Sequence, residues 1–554
     1  MPGPADPAAA ALTQRGAIDR RSVLRAGMLG LGVAAAPLGA QVAGAGGFTH
    51  GVASGEPGPR QVLLWTRYLG SAGTDLAWEV AADEAFAHVV SRGTARAEAA
   101  HDWCAKTVAT GLVPGRWYFY RFTAPGGARS VTGRTRTLPV GRTAAFKLAV
   151  FTCANFGFGW FNAYAHAAAR DDIDLVVHLG DYLYEYKRGD YPSPRAGIAE
   201  RVLQPAGELI TLADYRARYA TYRADADLQK LHQMWPMVAM WDDHESANDS
   251  WKGGAENHDP ATEGPWSVRT AAARRAYREW LPVSEHDWES YDIGNLATLW
   301  RLESRLDARD EQVTYPALLK DVAPADYPAK LTAFRTGAWS APARTLLGPE
   351  QETWLARGLA ASVRRGARWQ VIAQQVVMAP LTSPPEILAA MPATTSQFLS
   401  KRLTMTTAAS AVGLPFNLDS WDGYPAARSR LLGAAQAARA NLVVLSGDSH
   451  NAWASNLTHR GKPVGTEFAV HSVTSPGFES LINWLPSEAL AAAMTRQNPD
   501  LKWTDTSRRG YMTIALSQAS VSAEFIMLDT VRTRSGTVAA RKTMTARAGE
   551  RVLS

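Results

Sequence analysis

Four apolar runs, each short enough to be a buried strand, give way at once to loops of polar side chains, and this recurrence constrains the chain more than any other feature. Residues 147–151 run into Thr152-Cys153-Ala154-Asn155, and residues 175–179 into Gly180-Asp181-Tyr182-Leu183-Tyr184-Glu185. Residues 238–241 run into Asp242-Asp243-His244-Glu245, and residues 442–445 reach Gly447-Asp448-Ser449-His450-Asn451. Runs that are apolar on both faces suit strands covered on both sides. Helical stretches at 213–222, 270–280, 349–359 and 425–440, with a fifth buried run at 369–373, predict an α/β domain with a layered mixed sheet. The carboxyl edge of such a sheet is where sites collect. Thiol, carboxylate, phenol and imidazole together are metal-ligand types.

Residues 48–140 follow a different pattern. Short β segments at 62–66, 76–80 and 117–122 are separated by Pro57-Gly58-Pro59, Pro114-Gly115 and Pro125-Gly126-Gly127. This predicts a small antiparallel β-sandwich with no titratable cluster, a scaffold rather than a site. Ahead of it, Arg20-Arg21 precedes a Gly/Ala-rich apolar run at 26–43 and the small-residue site Ala43-Gly44-Ala45, an order that resembles a twin-arginine export signal. The expected organisation is a signal peptide at 1–45, a β-sandwich at 46–142, and a larger catalytic domain at 143–554 whose segment after Thr530 is a helix or a tail. The twin-arginine translocase would then be the partner during export, and the mature chain would be periplasmic or secreted, with no integral membrane span.

At 554 residues, 46% hydrophobic and 20% charged, the chain can bury a large core, which excludes disorder and collagen-like structure. A net charge of +6 without blocks of like charge argues against nucleic acid as a stable partner and suits an anionic substrate such as a phosphate ester. Cys104 and Cys153 are the two cysteines. An oxidising destination permits a disulfide between them, and the alternative is that one thiol is a ligand. His178, inside a buried run, reads as a core residue. Trp421 and Tyr424 read equally as core or as pocket wall.

The order Gly-Asp-x-x-Tyr, Asp-His-Glu, Gly-Asp-x-His resembles the calcineurin-like metallophosphoesterases, with the tyrosine of purple acid phosphatases, and most closely the PhoD-type alkaline phosphatases and phosphodiesterases. Further stretches that carry the likeness are residues 48–57, 64–67, 133–137, 347–351 and 419–424. The resemblance implies an αββα metallophosphoesterase domain with an iron(III) and calcium site. By position, Cys153, Asp181, Tyr184 and His450 match the iron ligands, Asp181 being the bridging carboxylate, while Asp243 and Asp448 fall on the calcium side. If Cys153 ligates iron, the disulfide is excluded and Cys104 is a buried residue of the sandwich.

The resemblance further implies hydrolysis of monoesters or diesters by metal-activated water. His244 would contact the phosphoryl group or protonate the leaving oxygen, Arg305 would clamp phosphate, and Asn248 would contact calcium or phosphate. Departures are Ser246-Ala247-Asn248-Asp249 where the family has paired Asn, Gln374-Gln375 where it tends to have Asn-Gln, and Leu302-Glu303-Ser304-Arg305 in place of Leu-Asp-Thr-Arg. They bear on substrate preference rather than reaction class. Two other functions compete: a phospholipase D-like diesterase acting on phospholipids, and a non-catalytic secreted binding protein.

Overall fold

The computed structural model describes residues 47–554. The signal-peptide reading therefore lies outside the described residues.

Three sheets organise the chain. A nine-stranded sheet contains β1 (Gly47–Gly55), β2 (Gln61–Leu69), β5 (Cys104–Thr110), β8 (Ala145–Phe151), β9 (Leu175–His178), β10 (Met237–Ala239), β18 (Arg509–Ser517), β19 (Ser520–Leu528) and β20 (Val538–Arg547). Its order is β20-β19-β18-β8-β9-β10-β1-β2-β5. A seven-stranded sheet is built from β11 (Glu289–Ile293), β12 (Ala297–Arg301), β13 (Trp369–Ala373), β14 (Leu442–Ser446), β15 (Ala452–His459), β16 (Lys462–Ala469) and β17 (Leu501–Asp505), in the order β11-β12-β13-β14-β16-β15-β17. β3 (Thr74–Ala81), β4 (Val89–Ala97), β6 (Trp117–Thr123) and β7 (Gly133–Arg136) form the third, ordered β4-β3-β6-β7.

The pleat explains the layering. Along β8, Phe146, Leu148 and Val150 point into a core shared with Leu299, Val371, Val443 and Phe468 of the seven-stranded sheet, while Ala149 and Phe151 point the other way, towards helices. The outer face of the seven-stranded sheet, with Trp300, Ile372 and Val444, is covered by the helices Gly348–Arg364 and Pro425–Ala438. The result is helix, sheet, sheet, helix, the αββα arrangement. The helix Leu212–Arg223 on the other side begins at a capping box in which Thr211 and Asp214 satisfy each other's backbone N–H groups.

The N-terminal region packs β1, β2 and β5 against the four-stranded sheet around Val52, Leu64, Trp78, Tyr120 and Phe122. It is not a detached module, because β1 also pairs in parallel with β10 at Gly55 and Met237, so one of its layers continues the nine-stranded sheet. This changes the expected place of Cys104: it is buried, but among Trp65 and Trp280 in the core beneath the helices.

The segment after Thr530 is neither a helix nor a tail. Val538–Arg547 pairs along its length with β19 and buries Met544 and Ala546. The run Ala539-Ala540-Arg541-Lys542 has helix-forming composition, but a sheet edge offering unpaired backbone groups outweighs that weak preference. Among the described residues, no helix is long and apolar enough to cross a membrane.

Candidate metal centre and catalytic cleft

Parallel pairing puts the ends of three strands level. Phe151 sits opposite His178, and His178 opposite Ala239, so the loops beginning at Thr152, Leu179 and Met240 emerge side by side. β14 brings the loop with Asp448 and His450 to the same edge from the second sheet. Two glycines let these loops touch. A Cβ on Gly180, which has φ +103°, would lie 2.5 Å from the Asp242 backbone nitrogen, and one on Gly447 would lie 2.4 Å from Thr152 Oγ1.

The ligand-type atoms of Cys153, Asp181 and His450 lie within 4.8 Å of one another, as do those of Asp181, Asp243 and His244, and those of Asp242, Asp243 and Asp448. Asp181 belongs to the first two groups and Asp243 to the last two. Tyr184 joins the first group, its Oη 3.0 Å from Asp181 Oδ2 and 3.2 Å from His450 Nε2. Cys153, Asp181, Asp448 and His450 all adopt left-handed backbone conformations, with φ of 55°, 53°, 61° and 61°. Such conformations cost free energy and persist where the surroundings impose them, typically at functional sites.

The surroundings that impose them are identifiable. The Glu245 carboxylate accepts from the backbone N–H groups of Asp181 (3.0 Å), Tyr182 (2.7 Å) and Asp242 (2.8 Å), tying two of the loops together. Ser475 Oγ donates to Tyr184 Oη at 2.7 Å and lies 3.1 Å from the Cys153 carbonyl. His450 Nδ1 donates to the Pro476 carbonyl at 2.8 Å, which leaves Nε2 free to ligate. Glu245 and Ser475 were not singled out from the sequence. Glu245 stood in the Asp-Asp-His-Glu motif as a visible signal, whereas Ser475 had none.

The donor set fits a cation. Asp181 Oδ1, Asp243 Oδ1 and Asp242 Oδ2 are buried with no hydrogen-bond partner, an expensive state for carboxylate oxygens unless a positive ion completes them. Burial, then the Asp181 charge, pushes the Cys153 thiol up, and burial with Asp181 and Cys153 does the same to the Tyr184 phenol. Burial pushes Asp181 up as well and carries Asp448 to about 7, with Arg305 opposing at the latter. These groups cannot all be anionic together unless a cation lies among them. Burial lowers His450 to about 4, so it presents a neutral imidazole.

Arg305 stands elsewhere than a phosphate clamp would. It is fully buried and does not line the cleft. Its Nε donates to Asp242 Oδ1 at 2.5 Å, its Nη1 to both Asp419 oxygens at 3.0 and 2.8 Å, and its Nη2 to Asp448 Oδ1 at 3.0 Å. Asp242 and Asp419 are further members of this set that sequence reasoning did not assign a role, and Asp419 is also held by Arg309.

His244 does face the cleft. Its Nδ1 pairs with Glu185 Oε2 at 2.7 Å and its ring lies 4.2 Å from that of Tyr184. Burial works against its charge, but Asp243, Glu185 and Asp181 together raise it well above the ordinary imidazole range. Asn248 also lines the cleft, its backbone N–H on Glu185 Oε1 at 2.8 Å and its amide on Glu256.

The remaining candidates are structural. Gln374 bonds Ser446, the Val376 carbonyl and Trp421, and Gln375 bonds Ser304 and the Trp241 and Leu302 carbonyls. Trp421 and Tyr424 are buried in the core, while Asp419, Ser420 and Asp422 of the same segment line the cleft. His178 pairs with Tyr164 Oη at 2.9 Å inside the core. Cys104 and Cys153 are both free thiols, so no disulfide joins them.

The cleft encloses about 1660 Å³ and is lined by segments within 158–494. No residue of the C-terminal segment lies in it.

Comparison with known proteins agrees with this geometry. The profile of the PhoD-like phosphatase family matches residues 148–525, and that of the PhoD-like phosphatase N-terminal domain matches residues 32–139. Alkaline phosphatase D of Bacillus subtilis (strain 168) is 33% identical over 504 residues, covering 86% of this chain and 77% of the relative. A solved structure of PhoD superposes with a TM-score of 0.74 at 30% identity, covering 92% of each chain. The chain belongs to the PhoD-like phosphatase family and is a phosphoester hydrolase.

Proposed function

We propose that the chain is an exported, metal-dependent phosphatase and phosphodiesterase that hydrolyses monoesters, diesters or both by attack of water. The observation that carries this reading is the pair of carboxylates shared between clusters, Asp181 and Asp243, each with one buried oxygen, Oδ1, that lacks a partner at the meeting point of four loops. Cys153, Asp181, Tyr184 and His450 would hold one cation. A thiolate, a phenolate and a neutral imidazole suit iron(III). Asp243 and Asp448, with Asp242, would hold a second, and all-oxygen donors suit calcium. Bound there, the cations supply Lewis acidity and lower the pKa of water.

The chain's own groups do the rest. His244, with Nδ1 committed to Glu185, can give the proton on its other ring nitrogen to the departing alkoxide. Asn248, on the same cleft wall, can donate to a phosphoryl oxygen. Arg305 neutralises and orients the carboxylates of the second set in place of binding phosphate directly. The division at residue 142 separates the sandwich from the catalytic domain, with the continuous sheet holding the two in register. Export through the twin-arginine translocase to the periplasm or medium rests on Arg20-Arg21 and the apolar run after it.

The test is kcat/KM of the purified mature chain on p-nitrophenyl phosphate and bis-p-nitrophenyl phosphate, with calcium and with a chelator. Turnover that calcium sustains and chelation abolishes is expected, and the ratio of the two esters gives the preference. No hydrolysis of either ester by chain loaded with both metals would overturn the reading.

A further inference from the structure

The cleft has two chemically different walls. Residues 190–263 contribute Asp190, Glu208, Asp249, Glu256, Asp259 and Glu263, whereas the lining from 377–406 and 476–494 is mainly apolar. Val377, Leu381, Ile387, Leu403, Ile482 and Met494 belong to one buried apolar cluster, and the same six side chains line the cleft. That cluster is therefore a core whose one side opens onto the catalytic cavity. Leu399, Phe416 and Phe478 sit half-buried against it, the last two edge to face with centroids 5.8 Å apart, and Phe398 also lines the cleft. Arg402, on the helix Gln397–Ala411, is the sole lysine or arginine among the lining residues and has no ion-pair partner among the described residues.

The hydrolysis chemistry at the strand ends needs none of this surface. A phosphate monoester of a small polar alcohol would reach the metal ligands and leave the apolar wall wet, and soluble proteins rarely keep such a wall in a cavity unless a ligand covers it. We propose that this wall is a subsite for the alcohol half of the substrate, and that the enzyme prefers esters whose alcohol is an alkyl or aryl group long enough to cover Leu399, Leu403, Phe416 and Phe478, with Arg402 drawing the anionic ester into an otherwise acidic cleft. The occupant is fixed by continuity: the wall and His244, Asp448 and His450 line one cavity. This rests on the phosphoesterase reading for its chemistry, but binding tests it separately.

The experiment measures the affinity of the metal-loaded chain for alkylphosphonates from methyl to octyl by calorimetry, beside kcat/KM for the matching p-nitrophenyl alkyl phosphodiesters. Affinity should rise by up to about fourfold per buried methylene, the equivalent of about 0.8 kcal/mol, over the first several carbons. Leu399→Gln and Phe416→Ser should flatten that slope, Leu399 being half-exposed on a helix surface that glutamine suits. Affinity that does not change with chain length overturns the subsite, whatever the hydrolysis shows. Chain-length-dependent binding without hydrolysis keeps the subsite and overturns the phosphoesterase reading instead. With octyl and longer diesters, a jump in turnover at the micelle concentration identifies a lipid surface as the source of the alcohol, and a smooth curve identifies a free ester.

Discussion

Around Cys153, Asp181, Tyr184 and His450 the donors are held by one another and by backbone groups, with Asp181 Oδ1 left unpartnered, whereas around Asp242, Asp419 and Asp448 a guanidinium already sits in the middle. Left-handed backbone occurs in both halves of the centre, at Cys153, Asp181 and His450 in the first and at Asp448 in the second, but the first contains no lysine or arginine. The second is counter-charged in part by Arg305, one guanidinium shared among three carboxyls. The difference shows two ways of burying acids together: in the first half burial raises the thiol, phenol and carboxyl so that they keep their protons, and in the second a fixed cation offsets part of the charge. Asp181 and Asp243 are where the two halves meet.

Asp181→Asn should therefore have the largest effect, because it touches both halves. Losing a shared carboxylate forfeits several kcal/mol of charge stabilisation, so kcat/KM on bis-p-nitrophenyl phosphate should fall by about 10³-fold or more while the fold persists. Metal analysis should show loss of both ions. Full occupancy of either with activity within tenfold of the parent would separate the halves and end the bridging assignment.

Arg305→Met comes next and breaks the second half alone. Removing one partner from a buried ion-pair network costs about 3–5 kcal/mol, and here Asp242, Asp419 and Asp448 are left facing one another. The metal-free variant should unfold at a clearly lower temperature, and added calcium should restore more stability to it than to the parent. An unchanged Tm without metal would mean that these carboxyls are protonated rather than paired, and the contrast between the halves would collapse.

His244→Gln sharpens the division between holding metal and moving protons. Metal content should stay full while kcat drops by about 10²-fold. The loss should be greater for an alkyl leaving group than for p-nitrophenolate, which departs without needing a proton. Equal losses on both would make His244 a binding group.

How much of this could be read from the sequence differs between the same two halves. Cys153, Asp181, Tyr184 and His450 were legible as a cluster because each lies in a loop that follows a buried run, while their roles as ligands came from the resemblance to PhoD-type motifs. The layered mixed sheet followed from runs apolar on both faces, and the αββα order from the resemblance. The network of Arg305 with Asp419 was not legible, since those residues lie 114 positions apart on loops whose approach is set by tertiary packing. β20 was missed for a related reason: its partner β19 decides its conformation, and alanine, arginine and lysine carry no β signal of their own. The apolar wall escaped too, because helix Gln397–Ala411 has an ordinary composition and only its position beside the cleft gives it a role.

Ser475→Ala makes the smallest and most selective change. Ser475 Oγ is the hydroxyl that donates to Tyr184 Oη, and it lies 3.1 Å from the carbonyl of Cys153, whose own backbone is left-handed. Alanine fits the space and leaves every ligand in place, so the fold and the second half should be untouched. Outer-shell partners of this kind are worth about 10–100-fold in metal affinity, and a single neutral hydroxyl belongs at the lower end. The expected result is a roughly tenfold weaker hold on the metal of the first half in chelator competition, at an unchanged calcium requirement. A shift in both would mean that the two halves are mechanically coupled through Asp181 and that their separate neutralisation does not make them separate sites. A shift in neither would leave the strained backbone at Cys153, rather than the hydrogen bond to Tyr184, as what sets the first half's geometry.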